Sequence, residues 1–178
     1  MRRPLTILGA CIAASVLLAG PARAEVVTIG RGLGSTWLLG APYRLDPGRA
    51  RTVRYSINSG DSCPQGPGTA FAVDWYPSGV RTAWKAWGRS RQLRLIDVAT
   101  TRRRDRSPEG FAVGRARVAA VRARFPHAQL LHPVGSLILG PTLVSVTRVT
   151  GYDNWVDYGF WFDARGRLIA LETDRGGC

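Results

Sequence analysis

The segment VDYGFWFDARGRLIALET, residues 156–173, decides how the end of this chain folds. Apolar side chains dominate its two arms, Val156–Asp163 and Arg167–Thr173. Between the arms lies the loop 163–166, which ends in glycine where a tight connection needs a positive φ angle. The segment therefore predicts an antiparallel β-hairpin.

Working outward, five other segments have the composition of β-strands, because β-branched and aromatic residues alternate with polar or small ones. The turn residues Pro77-Ser78-Gly79 separate two of these segments. Together with the hairpin they predict an antiparallel sheet. The segments are Arg51–Asn58, Thr69–Tyr76, Val80–Trp87, Leu93–Thr100 and Leu143–Val149.

One segment has clear helical periodicity. In Arg115–Phe125 the apolar residues Val118, Val121 and Phe125 lie along one face, and Pro126 ends the pattern. In the first half, Ser35 is a candidate N-cap for a very short helix over residues 36–39. We therefore predict an α+β fold, a small antiparallel sheet packed by one or two short helices.

The order of glycine loop, helix and strands occurs twice, which predicts a degenerate tandem repeat. The first α+β repeat covers residues 25–100 and the second covers residues 107–178. Residues 101–106, TRRRDR, form a charged linker between them.

Residues 1–24 have the three-part pattern of a secretory signal peptide. A basic Met1-Arg2-Arg3 precedes an apolar run, and Ala22-Arg23-Ala24 is an A-x-A cleavage site. Two alternatives are a retained membrane anchor and a lipobox that would acylate Cys11. Cleavage after Ala24 predicts a secreted, periplasmic or cell-envelope location.

Cleavage removes three arginines and lowers the formal net charge from +13 to +10. A charge of this sign favours anionic partners such as envelope polymers, lipid head groups or acidic proteins. We expect no nucleic-acid partner, since no segment combines a recognition helix with base-reading residues. Nor do we expect a membrane span after cleavage.

The mature chain keeps two cysteines, Cys63 and Cys178. An even pair in an oxidising compartment predicts one disulfide bond. The alternatives are two free thiols or a metal-binding pair.

The run EGFAVGRARVAAVRARFP, residues 109–126, resembles the opening of two secreted families. These are the SmpA/OmlA (BamE-like) modules and the beta-lactamase-inhibitor-protein-like modules, in which a short helical segment precedes a small antiparallel sheet. The resemblance implies that fold and an exported binding role. Arg115 replaces the usual methionine, and Cys63 and Cys178 fall in different halves. No functional residue is therefore carried over.

Residues typical of catalysis are sparse. There is no G-x-S-x-G nucleophile motif, and His127 and His132 are five apart around a proline-flanked loop, without a neighbouring carboxylate or cysteine. The glycine loop 30–34 lacks the βαβ context of a dinucleotide site. We predict no catalytic residue, no metal and no cofactor.

The aromatic residues of the predicted hairpins are the most suggestive binding candidates. Trp, Tyr and Arg dominate the energetics of protein interfaces, and several of them cluster here with basic neighbours. Trp84 and Trp87 are three apart, so a regular strand directs them to opposite faces and one is a candidate exposed ring. The predicted binding residues are Trp75, Arg81, Trp84, Trp87, Trp155 and Trp161.

These observations favour a secreted, non-enzymatic binding module for a protein or an anionic cell-envelope partner. The alternative is a wall-active carbohydrate binder or glycan hydrolase that uses the tryptophan-rich hairpins.

Overall fold

A computed structural model describes residues 24–43, 51–57, 69–86, 92–133, 139–151 and 154–177. The predicted signal segment before Ala24, both mature cysteines and Trp87 lie outside these ranges. The side chain of Trp155 is likewise outside the description.

Within the described residues the fold is built from eleven strands and one helix. The strands are β1 Val27–Thr28, β2 Gly32–Leu33, β3 Trp37–Leu38, β4 Arg51–Ile57, β5 Thr69–Tyr76, β6 Val80–Lys85, β7 Arg94–Thr100, β8 Gln129–Leu131, β9 Thr142–Gly151, β10 Asn154–Phe162 and β11 Leu168–Gly177. The helix α1 spans Val118–Arg124.

Eight strands form one antiparallel sheet in the order β4-β5-β6-β7-β11-β10-β9-β8. Strands β4 to β7 are sequential neighbours, and so are β8 to β11, so each half of the chain contributes a four-stranded meander. The last strands of the two meanders pair at the centre, with Val98 opposite Thr173 and Asp97 opposite Asp174. The predicted hairpin is confirmed as β10 and β11.

The hydrophobic core lies on one face of this sheet. Alternate residues of the central strands point there, and Tyr158, Phe160 and Leu171 are at most 2% exposed. The short sheet β1-β2-β3 and the helix α1 cover the face, since Val27, Leu33 and Val121 belong to the same core cluster. Burying each such side chain stabilises the fold by about 1.5–3 kcal/mol.

Side-chain hydrogen bonds from β10 and β11 help to attach the short sheet to the large one. The Tyr158 hydroxyl donates to the Val27 carbonyl at 3.2 Å, and the Gly30 amide donates to Thr173 Oγ1 at 3.0 Å. Burial raises the pKa of the Tyr158 hydroxyl, so it stays a neutral donor. The N-terminal segment is therefore part of the core layer.

The α+β prediction is correct only in its coarse form, because strands dominate and the described helix has seven residues. The helix predicted over residues 36–39 is wrong: Trp37 and Leu38 form β3 and pair with β2. So short a helix cannot offset its nucleation cost. Gly32 allows the close pairing instead, since a Cβ there would lie 1.9 Å from the Trp37 carbonyl oxygen.

None of the described helices is long and apolar enough to cross a membrane.

Candidate functional site

The predicted aromatic residues that the structure describes are largely inside the protein. Trp84 is 2% exposed on the core face, where its Nε1 donates to Thr82 Oγ1 at 2.8 Å. Trp161 is 6% exposed on the opposite face, and its Nε1 donates to the Glu172 carboxylate. Trp75 is half-buried, with the Arg81 guanidinium 5.8 Å from its ring centre.

Arg81, also predicted as a binding residue, is the centre of a buried ionic cluster on the sheet face opposite the core. It is 4% exposed and donates to Asp97 at 2.5 Å and to Glu172. Ala99 lies in register between Arg81 and Glu172, and its small side chain leaves room for the guanidinium to reach across β7. On the next strand Gly159 leaves room for the Glu172 carboxylate.

Two further carboxylates extend this cluster. Asp174 lies opposite Asp97 on one side and Asp157 on the other. Burial, followed by repulsion from Asp157 and Glu172, raises the pKa of Asp174 to about 7. Burial also raises the pKa of Asp97, against the attraction of Arg81. One guanidinium does not neutralise four carboxyl groups, so Asp174 holds a proton below about pH 7.

We define the ionic cluster as Arg81, Asp97, Asp157, Glu172 and Asp174. Its hydrogen bonds, with the one that Trp161 donates to Glu172, connect strands β6, β7, β10 and β11 across the centre of the sheet. Arg81 joins β6 of the first meander to β11 of the second through Glu172, whereas Trp161 bonds to Glu172 within the second meander. Both side chains are almost completely buried, so neither presents its ring or guanidinium to a large partner.

The charged run 101–106 forms an ordered turn in the structure. Asp105 is 1% exposed and accepts hydrogen bonds from Thr100 Oγ1 at 2.6 Å, Arg102 Nε at 2.7 Å and the Glu25 amide at 3.0 Å. Arg103 and Arg104 occupy the tip of the turn, and both side chains are exposed. An inward-facing carboxylate therefore holds two outward-facing arginines in place.

Two clefts lie beside this turn. The larger, of about 690 Å³, is lined by four arginines together with Phe111 and Gly110. These residues are Arg103, Arg104, Arg106 and Arg115. We call this surface the arginine cleft. The smaller, of about 560 Å³, shares Arg103, Arg104 and Arg115 and adds Arg167 and Asp163.

Turns at glycine residues shape the walls of both clefts. Gly110 and Gly114 have φ angles of 90° and 81°, which L side chains rarely adopt. The Gly114 amide donates to the Leu168 carbonyl at 2.7 Å, which attaches this segment to the start of β11. The loop that contains Gly110 and Gly114 is thereby fixed against the sheet, and Arg115 is exposed beside it.

The arginine cleft carries positive charge that no ion pair engages among the described residues. Within them, Arg103, Arg104, Arg106 and Arg115 form no ion pair with a carboxylate. Asp163 lines only the smaller cleft, where it accepts the amides of Arg165 and Arg167 at 2.9 and 2.8 Å. The hydrogen bond from Arg167 lowers the pKa of Asp163, so that carboxylate is ionised and weakens the positive charge there.

The histidines lie outside this region. His127 and His132 are exposed, and neither lines the two clefts. His132 Nδ1 is 3.2 Å from the Pro141 carbonyl oxygen. In the part of the chain that the structure describes, no group of three or more histidine, cysteine, aspartate or glutamate residues is arranged to hold a metal ion.

Sequence reasoning missed the arginine cleft. The run at 102–106 and Arg115 were visible as charge, but their convergence depends on the buried Asp105 and on the positive-φ glycines. The sequence did contain one signal: an isolated aspartate within an arginine run, followed by closely spaced glycines.

No protein-family model, curated protein or solved structure matches this chain.

Proposed function

We propose that this protein is a secreted, non-enzymatic binding module that holds a phosphate-bearing polymer of the cell envelope in the arginine cleft. The observation that carries the proposal is the convergence of Arg103, Arg104, Arg106 and Arg115 on one concave surface. The guanidinium group matches phosphate geometry with paired N–H donors. Several such groups around one cleft favour a multiply charged ligand over a single anion.

The dimensions of the site support the same ligand class. The cleft is open to solvent, and its volume of about 690 Å³ falls in the range of small-molecule pockets. Phe111 adds an apolar surface at its wall, suited to a sugar or polyol backbone between phosphates. The predicted net charge of the mature chain would attract such a polymer over longer distances.

The chain offers a matched test of this proposal. Arg103→Ala/Arg104→Ala removes two arginines that line the cleft. Arg122→Ala/Arg124→Ala removes two exposed arginines of α1 that line neither cleft, so the net charge is the same in both variants. We expect the cleft variant to bind linear inorganic polyphosphate about tenfold or more weakly at about 0.15 M ionic strength, since each charge-assisted contact contributes about 1 kcal/mol or more.

The measurement is calorimetric titration of the mature chain with polyphosphate, with polyglutamate and dextran as further ligands. We expect the α1 variant to stay within about threefold of wild type, because distant surface charges are screened. Equal losses in both variants would show that only overall charge matters and would refute the cleft. Tighter binding of polyglutamate than of polyphosphate would refute the phosphate assignment.

A further inference from the structure

We infer that removal of the leader after Ala24 creates a new α-ammonium on Glu25, which forms a partly buried ion pair with Asp105 and fixes the turn 101–106 that presents Arg103 and Arg104. The inference rests on the predicted cleavage site, and its consequence for ligand binding rests on the proposed function. Its geometric basis is the 3.0 Å distance from the Glu25 nitrogen to Asp105 Oδ1.

Asp105 is placed to receive a cation at that position. The residue is 1% exposed, and its Oδ2 accepts from Thr100 and Arg102, while Oδ1 faces the Glu25 nitrogen. A peptide nitrogen supplies one neutral donor there. A free amino terminus supplies a charged group, and hydrogen bonds to a charged donor are roughly twice as strong as neutral ones.

The position of Glu25 is fixed by its neighbours. Its carbonyl accepts from the Arg106 amide at 3.1 Å, and its side chain pairs with Arg102. Val26 forms a bridge with Arg106, and the Val27 amide donates to the Arg106 carbonyl at 3.0 Å. The nitrogen of residue 25 is therefore directed at Asp105 by backbone pairing on its C-terminal side.

Ala24, the residue before Glu25, has a different environment. Ala24 is exposed and lines the arginine cleft beside Arg103, Arg104 and Arg106. Cleavage after Ala24 thus removes a residue from the cleft wall and converts the adjoining amide into a cation. Asp105 would then hold two cations, Arg102 and the amino terminus, on either side of the turn that presents Arg103 and Arg104.

A double-mutant cycle tests this pair. Two chains, one beginning at Glu25 and one retaining Ala24, are each prepared with Asp105 and with Asp105→Asn, and unfolding is measured at pH 6.5. We expect Ala24 retention to raise the unfolding equilibrium constant about fivefold or more with Asp105 and less than twofold with asparagine. Equal effects in both backgrounds would overturn the inference.

If Asp105→Asn prevents folding, the comparison uses the two Asp105 chains at pH 6.5 and pH 10. The charged groups around the amino terminus are Asp105, Arg102 and the Glu25 side chain, with Arg106 beside them. An α-amino group ordinarily loses its proton near pH 8. We expect the advantage of the Glu25 chain at pH 6.5 to shrink to less than twofold at pH 10, and a gap that persists unchanged would contradict the ion pair.

Polyphosphate titration of the same two chains separates this inference from the proposed function. A stability gap without any polyphosphate binding would retain the ion pair and refute the binding proposal. Polyphosphate binding without a stability gap would support the binding proposal and refute the ion pair.

Discussion

Arg81→Gln is expected to lower the free energy of unfolding by about 3–5 kcal/mol, because it leaves buried carboxylates without their cation. Asp97 and Glu172 are 14% and 15% exposed, and both bond to this one guanidinium. Glutamine retains hydrogen-bonding capacity but carries no charge. The loss falls at the centre of the sheet, where β6, β7 and β11 meet.

Urea denaturation of the variant and wild type at pH 7 measures this loss. The control is Arg94→Gln on the neighbouring strand, since Arg94 is exposed and donates to the Gly40 carbonyl at 3.0 Å. We expect that control to lose about 1 kcal/mol or less, the typical net contribution of one hydrogen bond. A loss below about 1 kcal/mol for Arg81→Gln would show that the ionic cluster does not stabilise the junction of the meanders.

Asp174→Asn is expected to stabilise the protein at pH 8, by up to about 4 kcal/mol, and to change its stability little at pH 4. The pKa of Asp174 is raised to about 7 in the folded chain. Between pH 4 and pH 7 the folded state therefore keeps a proton that the unfolded state has released. Wild-type stability consequently falls as pH rises through this window, at up to about 1.4 kcal/mol per pH unit.

Asparagine imitates the protonated acid at every pH and removes this contribution to the slope. The groups that face Asp174 are Asp157 on β10, Asp97 on β7, Glu172 on its own strand and Arg81 beyond them. Denaturation midpoints at pH 4, 6 and 8 for wild type and variant measure the effect. Parallel pH profiles for the two proteins would contradict the protonated state of Asp174.

The sheet could be predicted because its strands carry their pattern locally. Thr69–Tyr76 has the predicted bounds, and β4, β6, β7 and β11 differ from prediction by a few residues at their ends. The pairing of β7 with β11 could not be predicted, because it joins strands about 75 residues apart and has no local turn to define its register. Tandem duplication of the two meanders stays a prediction.

The burial of the tryptophans on both faces of the sheet could not be predicted from the sequence. Alternation shows which residues share a face, but it does not show which face is covered. Trp84 and Trp161 lie on opposite faces, and both are nearly inaccessible: the first packs in the core, and the second donates to Glu172 of the ionic cluster. Arg81 was recognised as a candidate, but its role depends on acids from two other strands.

The arginine cleft could not be predicted from the sequence, for a different reason. Charge is visible in a sequence, but convergence is not, since Arg104 and Arg115 are brought to one surface by the turn around Asp105 and the glycine at 110. The predicted preference for anionic partners follows from composition alone. The position of the cleft on the surface is visible only in the folded structure.

The most direct test of the cleft is a residue-resolved titration of the ¹⁵N-labelled mature chain with inorganic polyphosphate. Amide shifts report where the ligand lies without any substitution in the protein. We expect the largest saturable shifts at Arg103, Arg104, Gly110, Phe111 and Arg115. Shifts that are largest at Arg122 and Arg124 of α1, or that spread evenly over all exposed arginines, would contradict a phosphate-polymer site in the arginine cleft.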